Sequence, residues 1–246
     1  MQHAVSARKN GQNDGMVRYC QNDKCDYKIS VDSADVTFEN SSENTVSAPA
    51  FRPMREKLQF LQAFLKNPMK VGAIAPSSPE LAHVMLHGIH PDDHNIVLEL
   101  GVGTGAITKF LREKVPSKDS YLGLELDQDL VKSLNKNFPD MNIICGNAAE
   151  AYKIHRESGL GKVRYVVCCL PFVSLPKEIS ESVLVEIQKF MDEGCELRIF
   201  QYAHGYYLPP AIKLRELLKN RYGKTRRSPL ILKNVPPAFT LTWSTV

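Results

Sequence analysis

Long apolar runs are absent from this sequence of 246 residues. No stretch reaches the roughly 18 to 20 consecutive apolar residues that a membrane-spanning helix needs, so the sequence predicts no such helix. The first ten residues, M-Q-H-A-V-S-A-R-K-N, also lack the apolar core of a secretory signal peptide. The composition, 43% hydrophobic and 24% charged, is ordinary for a globular protein. We therefore expect a cytoplasmic protein.

A complete set of metal ligands is also missing from the sequence. Cys20 and Cys25 supply two ligands where a zinc site needs about four. His83 and His87 have helical i,i+4 spacing but lack the adjoining Glu of a metalloprotease motif. The other four cysteines lie in or beside apolar, strand-like runs, where free cysteine behaves as a small hydrophobe: Cys145, Cys168, Cys169 and Cys195. We predict no bound metal.

Residues 1–50 differ in composition from the rest of the chain. They are rich in Asn, Asp, Ser and Glu, and their five basic and seven acidic residues give a net charge of −2 within a chain of +4. Such a segment buries too little apolar surface to offset its ordering entropy. The sequence predicts a mostly disordered extension over 1–50, an N-terminal helical segment over 51–94 and the main domain over 95–246.

Two basic segments each have two interpretations. Residues 53–67 predict an amphipathic helix, in which Phe60 and Phe64 widen a stripe of Met and Leu between flanking Lys and Arg residues. That helix could lie in a membrane interface or pack on the main domain, and periodicity alone slightly favours packing. Residues 213–227 are dominated by Lys and Arg, with one acidic residue, and either face phosphate or form a solvated surface.

Strand-like and helical patterns alternate from Asn95 onward. This alternation predicts a parallel sheet with helices on both faces. Two further strands, over 228–233 and 238–243, predict an antiparallel hairpin at the edge of the sheet. A short helix over 79–86, with Ser78 as its N-cap, precedes the sheet. The predicted parallel strands cover residues 96–100, 121–126, 142–145, 163–170 and 196–202.

A glycine loop follows the first of these strands and opens a helix. It reads E-L-G-V-G-T-G, from Glu99 to Gly105, and its glycines permit a tight turn and a close approach to a ligand. Glu125 ends the next strand, where an acidic residue can accept hydrogen bonds from ribose hydroxyls. Asn147 ends the third strand, where its side chain can read an adenine amine. Glu99 would repel a pyrophosphate and suits a cationic ligand.

These residues resemble the S-adenosylmethionine (SAM) site of the class I methyltransferases. The resemblance implies a Rossmann-like α/β fold, with a mostly parallel seven-stranded sheet, helices on both faces and an antiparallel C-terminal edge. It also implies that SAM is the cofactor. The cofactor contacts that it assigns are Glu99, Gly101, Gly103, Gly105, Glu125, Leu126, Asn147, Ala148 and Leu170.

Four other segments, over 64–78, 169–176, 201–205 and 234–239, resemble the bacterial phospholipid N-methyltransferases. This family converts phosphatidylethanolamine stepwise to phosphatidylcholine, and the resemblance covers residues 51–246. It implies a phospholipid substrate and peripheral association with an anionic membrane surface, at the inner face of the membrane. On the membrane and substrate side we expect Phe60, Phe64, Lys70, Ser77, Ser78 and Tyr206.

Catalytic positions are expected after the fourth and fifth parallel strands, whose carboxyl ends border the ligand crevice of such a sheet. We assign Tyr202 and Phe172 as aromatic contacts of the methylated amine, because aromatic faces hold quaternary ammonium groups. His204 is a candidate proton acceptor or phosphate contact.

The phospholipid family is similar to the rRNA adenine dimethyltransferases, so RNA is an alternative acceptor. An adenine amine needs Asn or Asp at the turn after the fourth strand, whereas residues 169–172 here read C-L-P-F and offer no such acceptor. Nucleic acid is therefore the less favoured partner. A methyltransferase for a soluble amine and a SAM-binding adaptor without catalysis are further alternatives.

Overall fold

The chain divides into two compact units, residues 1–58 and 59–246. A computed structural model describes residues 18–19, 27–32, 35–40, 44–46 and 76–244 of the chain. The helix predicted over 53–67, with Phe60 and Phe64, lies outside the described residues, as do Lys70, Cys20 and Cys25.

The described residues of the first unit form an antiparallel sheet in the order β1-β2-β3-β4. Its strands are β1 (Arg18–Tyr19), β2 (Tyr27–Asp32), β3 (Asp35–Asn40) and β4 (Asn44–Val46). This differs from the disordered extension expected over 1–50. The physical reason is local, because Y-K-I-S-V-D and D-V-T-F-E-N alternate apolar and polar residues with the period of a strand.

The second unit alternates helices and strands, as predicted. Its first helix, α1 (Pro79–Met85), begins at Ser78, whose hydroxyl caps the Leu81 N–H as expected. The remaining helices are α2 (Thr108–Leu111), α3 (Gln128–Asn137), α4 (Ala151–Ser158), α5 (Lys177–Asp192) and α6 (Pro209–Tyr222). The strands are β5 (Asn95–Leu100), β6 (Tyr121–Glu125), β7 (Ile143–Cys145), β8 (Lys162–Cys168), β9 (Glu196–Tyr202), β10 (Arg226–Arg227) and β11 (Ala238–Ser244).

These seven strands form one sheet in the order β10-β11-β9-β8-β5-β6-β7. The five from β5 to β9 run parallel, and β11 pairs antiparallel with both β9 and β10. The predicted fold class is therefore confirmed: a seven-stranded, mostly parallel sheet with an antiparallel C-terminal edge. Glu99, the penultimate residue of β5, pairs with Gly123 of β6 on one side and with Val167 of β8 on the other.

Helices cover both faces of the sheet and bury a separate core on each. On one face α5 and α6 pack through residues such as Ile187 and Leu218 onto the sheet, and the fully buried Trp243 lies in the same core. On the other face α1, α2 and α3 pack onto β5 and β6. Val97 belongs to the second core, whereas its neighbours Ile96 and Leu98 belong to the first. This alternation along β5 explains why the strand is a continuous apolar run.

One predicted strand, over 228–233, is wrong. The edge strand β10 covers only Arg226–Arg227, and within 228–233 the structure has a single bridge, from Ile231 to Ala238. Pro229 has no backbone N–H to donate to a ladder, so the pairing stops before it. The predicted antiparallel edge is still present, but its outer strand is shorter and lies earlier in the chain.

The order of the strands locates the ligand crevice. The chain proceeds from β5 to β6 and β7 on one side, then crosses to β8 and β9 on the other. In a parallel sheet the loops beyond the strand ends diverge where the order reverses, and ligands bind there. Within residues 76–244, no helix has the length and apolar character needed to cross a bilayer.

Candidate cofactor and acceptor site

A crevice lies beyond the carboxyl ends of β5, β6, β7 and β8. Six of the nine predicted cofactor residues line it: Gly101, Glu125, Leu126, Asn147, Ala148 and Leu170. The sequence analysis missed Leu124, Gly146 and Val183, which complete the lining. Leu124 and Gly146 adjoin predicted contacts, whereas Val183 comes from α5 and carries no local signal.

The glycine loop has the conformation that its sequence demands. Gly101, Gly103 and Gly105 all have positive φ angles, of 78°, 60° and 81°, which glycine adopts without strain. A Cβ atom on Gly101 would lie 2.6 Å from Leu170 Cδ2, so Leu170 packs directly over the loop. A Cβ on Gly103 would meet no atom within 4 Å. The backbone of Gly103 therefore borders open space that a ligand can approach.

Glu125 connects the glycine loop to the second strand. Its side chain is buried, and Oε2 accepts a hydrogen bond of 2.8 Å from the Gly103 N–H. Oε1 accepts a second one, of 3.0 Å, from the Asp127 N–H. Each carboxylate oxygen can accept more than one hydrogen bond, so the residue retains capacity for a ligand. The predicted ribose contact is compatible with this position at the crevice.

Asn147 lies beside Glu125, at the end of the neighbouring strand β7, one residue beyond Gly146, whose N–H donates to the Glu125 carbonyl at 2.9 Å. Its Oδ1 accepts a 3.0 Å hydrogen bond from the Ala149 N–H and so begins a 3-10 turn over Ala148–Glu150. Leu126 and Ala148 lie beside it in the lining. The crevice therefore has apolar walls, with Asn147 and Glu125 at neighbouring strand ends as polar groups that an adenosine could contact.

Glu99 lies beneath the crevice rather than in its lining. The side chain is fully buried, and Oε2 accepts hydrogen bonds from Tyr121 Oη at 2.6 Å and Thr108 Oγ1 at 2.9 Å. Burial raises the pKa of Glu99 from 4.5 to about 7, although both hydrogen bonds act to lower it. Without a nearby cation, the carboxyl group is thus partly protonated near neutral pH. A cationic ligand above the loop would favour its ionised form.

The turn after β8 connects this carboxyl group to the acceptor side. Cys169 Sγ lies 4.0 Å from Glu99 Oε1, and burial raises the pKa of the Cys169 thiol, with Glu99 adding to the effect. The thiol is therefore neutral. Phe172 is half-buried and packs against the core that contains α5 and α6.

Three segments singled out in the sequence converge beside this turn. The Ser78 N–H donates to Asn234 Oδ1 at 2.9 Å, and the Ala203 N–H donates to the Pro237 carbonyl at 2.8 Å. Tyr202 packs with Leu81, Ile231 and Ala238. The predicted acceptor-side segments therefore meet at one edge of the sheet, beyond β9 and before β11.

The aromatic residues at this edge have different surroundings. The Tyr202 and His204 rings are stacked with centroids 5.7 Å apart, and His204 is exposed. Burial raises the pKa of Tyr202, so its phenol stays neutral. Tyr206 instead packs against Phe239, with the Arg215 guanidinium 3.8 Å from its ring centroid. That environment fits a structural role for Tyr206 better than the predicted substrate contact.

Sheet order, glycine loop and crevice together have the architecture of the Rossmann-like methyltransferases that use SAM. Residues 97–194 match a family described as "Methyltransferase domain". TrmK of M. capricolum, solved in complex with S-adenosyl-homocysteine, superposes with a TM-score of 0.50 at 11% identity, over 70% of each chain.

Two known methyltransferases are similar to this chain in sequence. The ornithine lipid N-methyltransferase of Singulisphaera acidiphila is 28% identical over 141 residues, which are 56% of this chain and 73% of that protein. The ribosomal RNA small subunit methyltransferase A of Cupriavidus metallidurans is 29% identical over 113 residues. That match covers 46% of this chain and 38% of the relative, so the chain spans well under half of the rRNA enzyme's length.

The position of Glu125 predicts a loss of SAM affinity in Glu125→Ala. We expect binding to weaken at least about tenfold, or about 1.4 kcal/mol, because the loop loses its hydrogen bond from the Gly103 N–H and the predicted ribose contact is removed. Isothermal titration calorimetry with SAM measures this. Asp129→Ala, which removes an exposed carboxylate paired with Lys132, is the matched control. Equal affinity of wild type and Glu125→Ala would exclude Glu125 from the site.

The burial of Glu99 predicts a specific pH dependence of stability. Because its pKa rises from 4.5 to about 7 on folding, the folded state binds more protons between these values. The contribution to stability is full below the unfolded pKa and is lost as the pH rises through the folded pKa.

Glu99→Gln keeps an acceptor for Tyr121 and Thr108 but does not ionise. Between about pH 5 and about pH 8, we expect its stability relative to wild type to rise by about 3 kcal/mol. Urea unfolding of the SAM-free protein measures this difference. Glu150→Gln, at an exposed carboxylate, should show no such change. Parallel stability curves for wild type and Glu99→Gln would contradict the assignment.

Proposed function

We propose that this chain transfers methyl groups from SAM to the amine of a membrane lipid, phosphatidylethanolamine in the first instance, at the membrane surface. The observation that carries the proposal is the turn after β8. In residues 169–172, the nearest side chains to the loop are a neutral thiol at Cys169 and an aliphatic group at Leu170, which packs over Gly101. An aliphatic amine needs no side-chain carbonyl there, because it is a good nucleophile once deprotonated.

The similarity to an ornithine lipid N-methyltransferase supports a lipid acceptor. That relative's name describes N-methylation of a lipid, and phosphatidylethanolamine likewise presents a primary aliphatic amine. The match covers 73% of the relative, so it extends over most of the length of that protein.

The residues around the crevice have two tasks in this reaction. Gly101, Glu125 and Asn147 hold and orient the cofactor, which supplies an electrophilic methyl group on a sulfonium. Leu170 closes the crevice over the loop and excludes water. Alignment of the amine nitrogen with the methyl group then supplies much of the rate.

The acceptor edge binds the amine and removes its proton. An alkyl amine has a pKa of about 10 and must lose a proton before it attacks. His204, exposed and stacked on Tyr202, is the proposed proton acceptor. The Tyr202 and Phe200 rings lie 5.3 Å apart, edge to face. Such rings attract the quaternary ammonium that forms when the amine is fully methylated.

Adenine in ribosomal RNA is the second candidate acceptor, favoured by the similarity to the small subunit methyltransferase. That match covers 38% of the relative, so most of the rRNA enzyme lies outside the matched region. A flipped adenine is hydrogen-bonded along its edge and stacked between aromatic rings. Cys169 and Leu170 offer no side-chain carbonyl acceptor for its amine.

An acceptor assay separates the candidates. We expect methyl-labelled SAM, incubated with the protein and vesicles containing phosphatidylethanolamine, to transfer label to the extracted lipid. Parallel reactions contain small-subunit rRNA, ornithine lipid or a soluble amine such as ethanolamine. Label in RNA alone would support the second candidate. Absence of label in every acceptor, with intact SAM binding, would favour a non-catalytic adaptor.

The aromatic edge makes a second prediction, for Tyr202. We expect Tyr202→Ala to lower lipid methylation at least about tenfold, since an aromatic wall is lost, while SAM affinity stays unchanged. Tyr202→Phe keeps the ring and should retain most of the rate. Initial rates and calorimetry on the same preparations measure both properties. A comparable loss in Tyr202→Phe would assign the role to the phenol rather than to the ring.

A further inference from the structure

The exposed apolar side chains of the second unit are concentrated in two short segments of the chain. Within residues 76–244, eight large apolar residues are exposed, and five of them come from the two short segments 207–208 and 230–235. The other three lie on separate helices: Val84, Val185 and Leu217. We call the five residues of these two segments the apolar rim: Tyr207, Leu208, Leu230, Leu232 and Val235.

The two segments of the apolar rim flank the acceptor edge of the site. Tyr206, adjacent to Tyr207, packs its ring against Phe239 with centroids 4.9 Å apart. The Ala203 N–H donates to the Pro237 carbonyl, and Tyr202 pairs with Ala238 in the sheet. The rim therefore lies at the end of β9, where the proposed acceptor is methylated.

The second segment is built so that its apolar side chains point outward. Ile231 is buried in a small core with Leu81, and Asn234 is 1% exposed. Asn234 accepts a hydrogen bond from the Ser78 N–H and donates one to the Pro236 carbonyl. Leu232 and Val235, which alternate with these anchors, are 72% and 68% exposed. Their exposure is thus fixed by the fold of the loop.

Two basic residues lie beside the apolar rim: Arg227, whose guanidinium carbon lies 5.4 Å from the centroid of the Tyr206 ring and 4.8 Å from that of Phe239, and Lys233, within the second segment. The sequence contains no Asp or Glu after Glu216, and both basic side chains are exposed. Lys233 pairs with Glu80 across 3.1 Å, but exposed pairs of this kind are weak. Aliphatic side chains beside cationic ones match the two layers of a bilayer interface, hydrocarbon and anionic phosphate.

We propose that the apolar rim inserts into the interface of an anionic bilayer while the neighbouring Lys and Arg residues contact its phosphates. The docked protein would then present the carboxyl end of β9 to the lipid headgroups. The inference deepens the proposed function, since it supplies the surface on which a lipid amine reaches the site. Leu and Val favour hydrocarbon over single-stranded RNA, whose bases stack on aromatic side chains.

Tryptophan fluorescence reports insertion at the rim directly. The sequence contains one tryptophan, Trp243, which is fully buried and gives a constant background. We expect Leu232→Trp to shift its emission to shorter wavelength when vesicles of equal parts phosphatidylcholine and phosphatidylglycerol are added. Val185→Trp, at an exposed apolar position on α5, should show no shift. An unshifted Leu232→Trp spectrum in the presence of bound vesicles would overturn the proposal.

Co-sedimentation with the same vesicles tests the contribution to binding. We expect the double variant Leu232→Ser with Val235→Ser to partition at least about tenfold less than wild type, and Val185→Ser to partition equally. Unchanged SAM affinity by calorimetry confirms that the double variant is folded. Equal partitioning of wild type and double variant would reject the rim as a docking surface. So would a double variant that loses affinity for RNA while its binding to vesicles stays unchanged.

Failure of this proposal is distinguishable from failure of the proposed function. Insertion of Leu232→Trp without methylation of any lipid would leave the docking surface standing and remove the lipid acceptor. Lipid methylation without insertion of Leu232→Trp would support the lipid acceptor and reject the apolar rim as the docking surface.

Discussion

The cofactor crevice depends on one constraint, the reversal of strand order at β5. The chain builds β6 and β7 on one side of β5 and then returns to build β8 and β9 on the other. The loops beyond β5 and β8 therefore diverge and leave a crevice between them. Leu170, in the turn after β8, covers the glycine loop after β5, while Glu125 at the end of β6 holds Gly103.

Two carboxylates of this region have different roles because their surroundings differ. Glu125 accepts hydrogen bonds from two backbone N–H groups and lines the crevice, where a ligand can reach it. Glu99 is enclosed under the loop, where desolvation raises its pKa to about 7 despite hydrogen bonds from Tyr121 and Thr108. A cation bound above the glycine loop would favour the ionised form of Glu99, so its binding would be coupled to the protonation of this buried carboxyl group.

The acceptor edge is assembled from segments far apart in the chain. Ser78 and Asn234 are 156 positions apart and share a hydrogen bond. Tyr202 packs against Leu81, which follows Ser78, and against Ile231, which precedes Asn234. The same loop that buries Asn234 exposes Leu232 and Val235. One tertiary arrangement thus orders the proposed amine site and sets an apolar rim beside it.

Local patterns in the sequence determined the parallel strands, the helices after them and the glycine loop, because period, capping and the freedom of glycine act over a few residues. They also located Glu125 and Asn147 at strand ends. Three features were decided only by tertiary structure: the burial of Glu99, the contribution of Val183 from α5, and the packing of Tyr206 on Arg215 and Phe239. Burial and long-range contact depend on how helices and strands stack, which no local pattern records. The strand wrongly predicted over 228–233 shows the same for the sheet edge, since the outer strand forms only where β11 offers hydrogen-bond partners, at Arg226–Arg227.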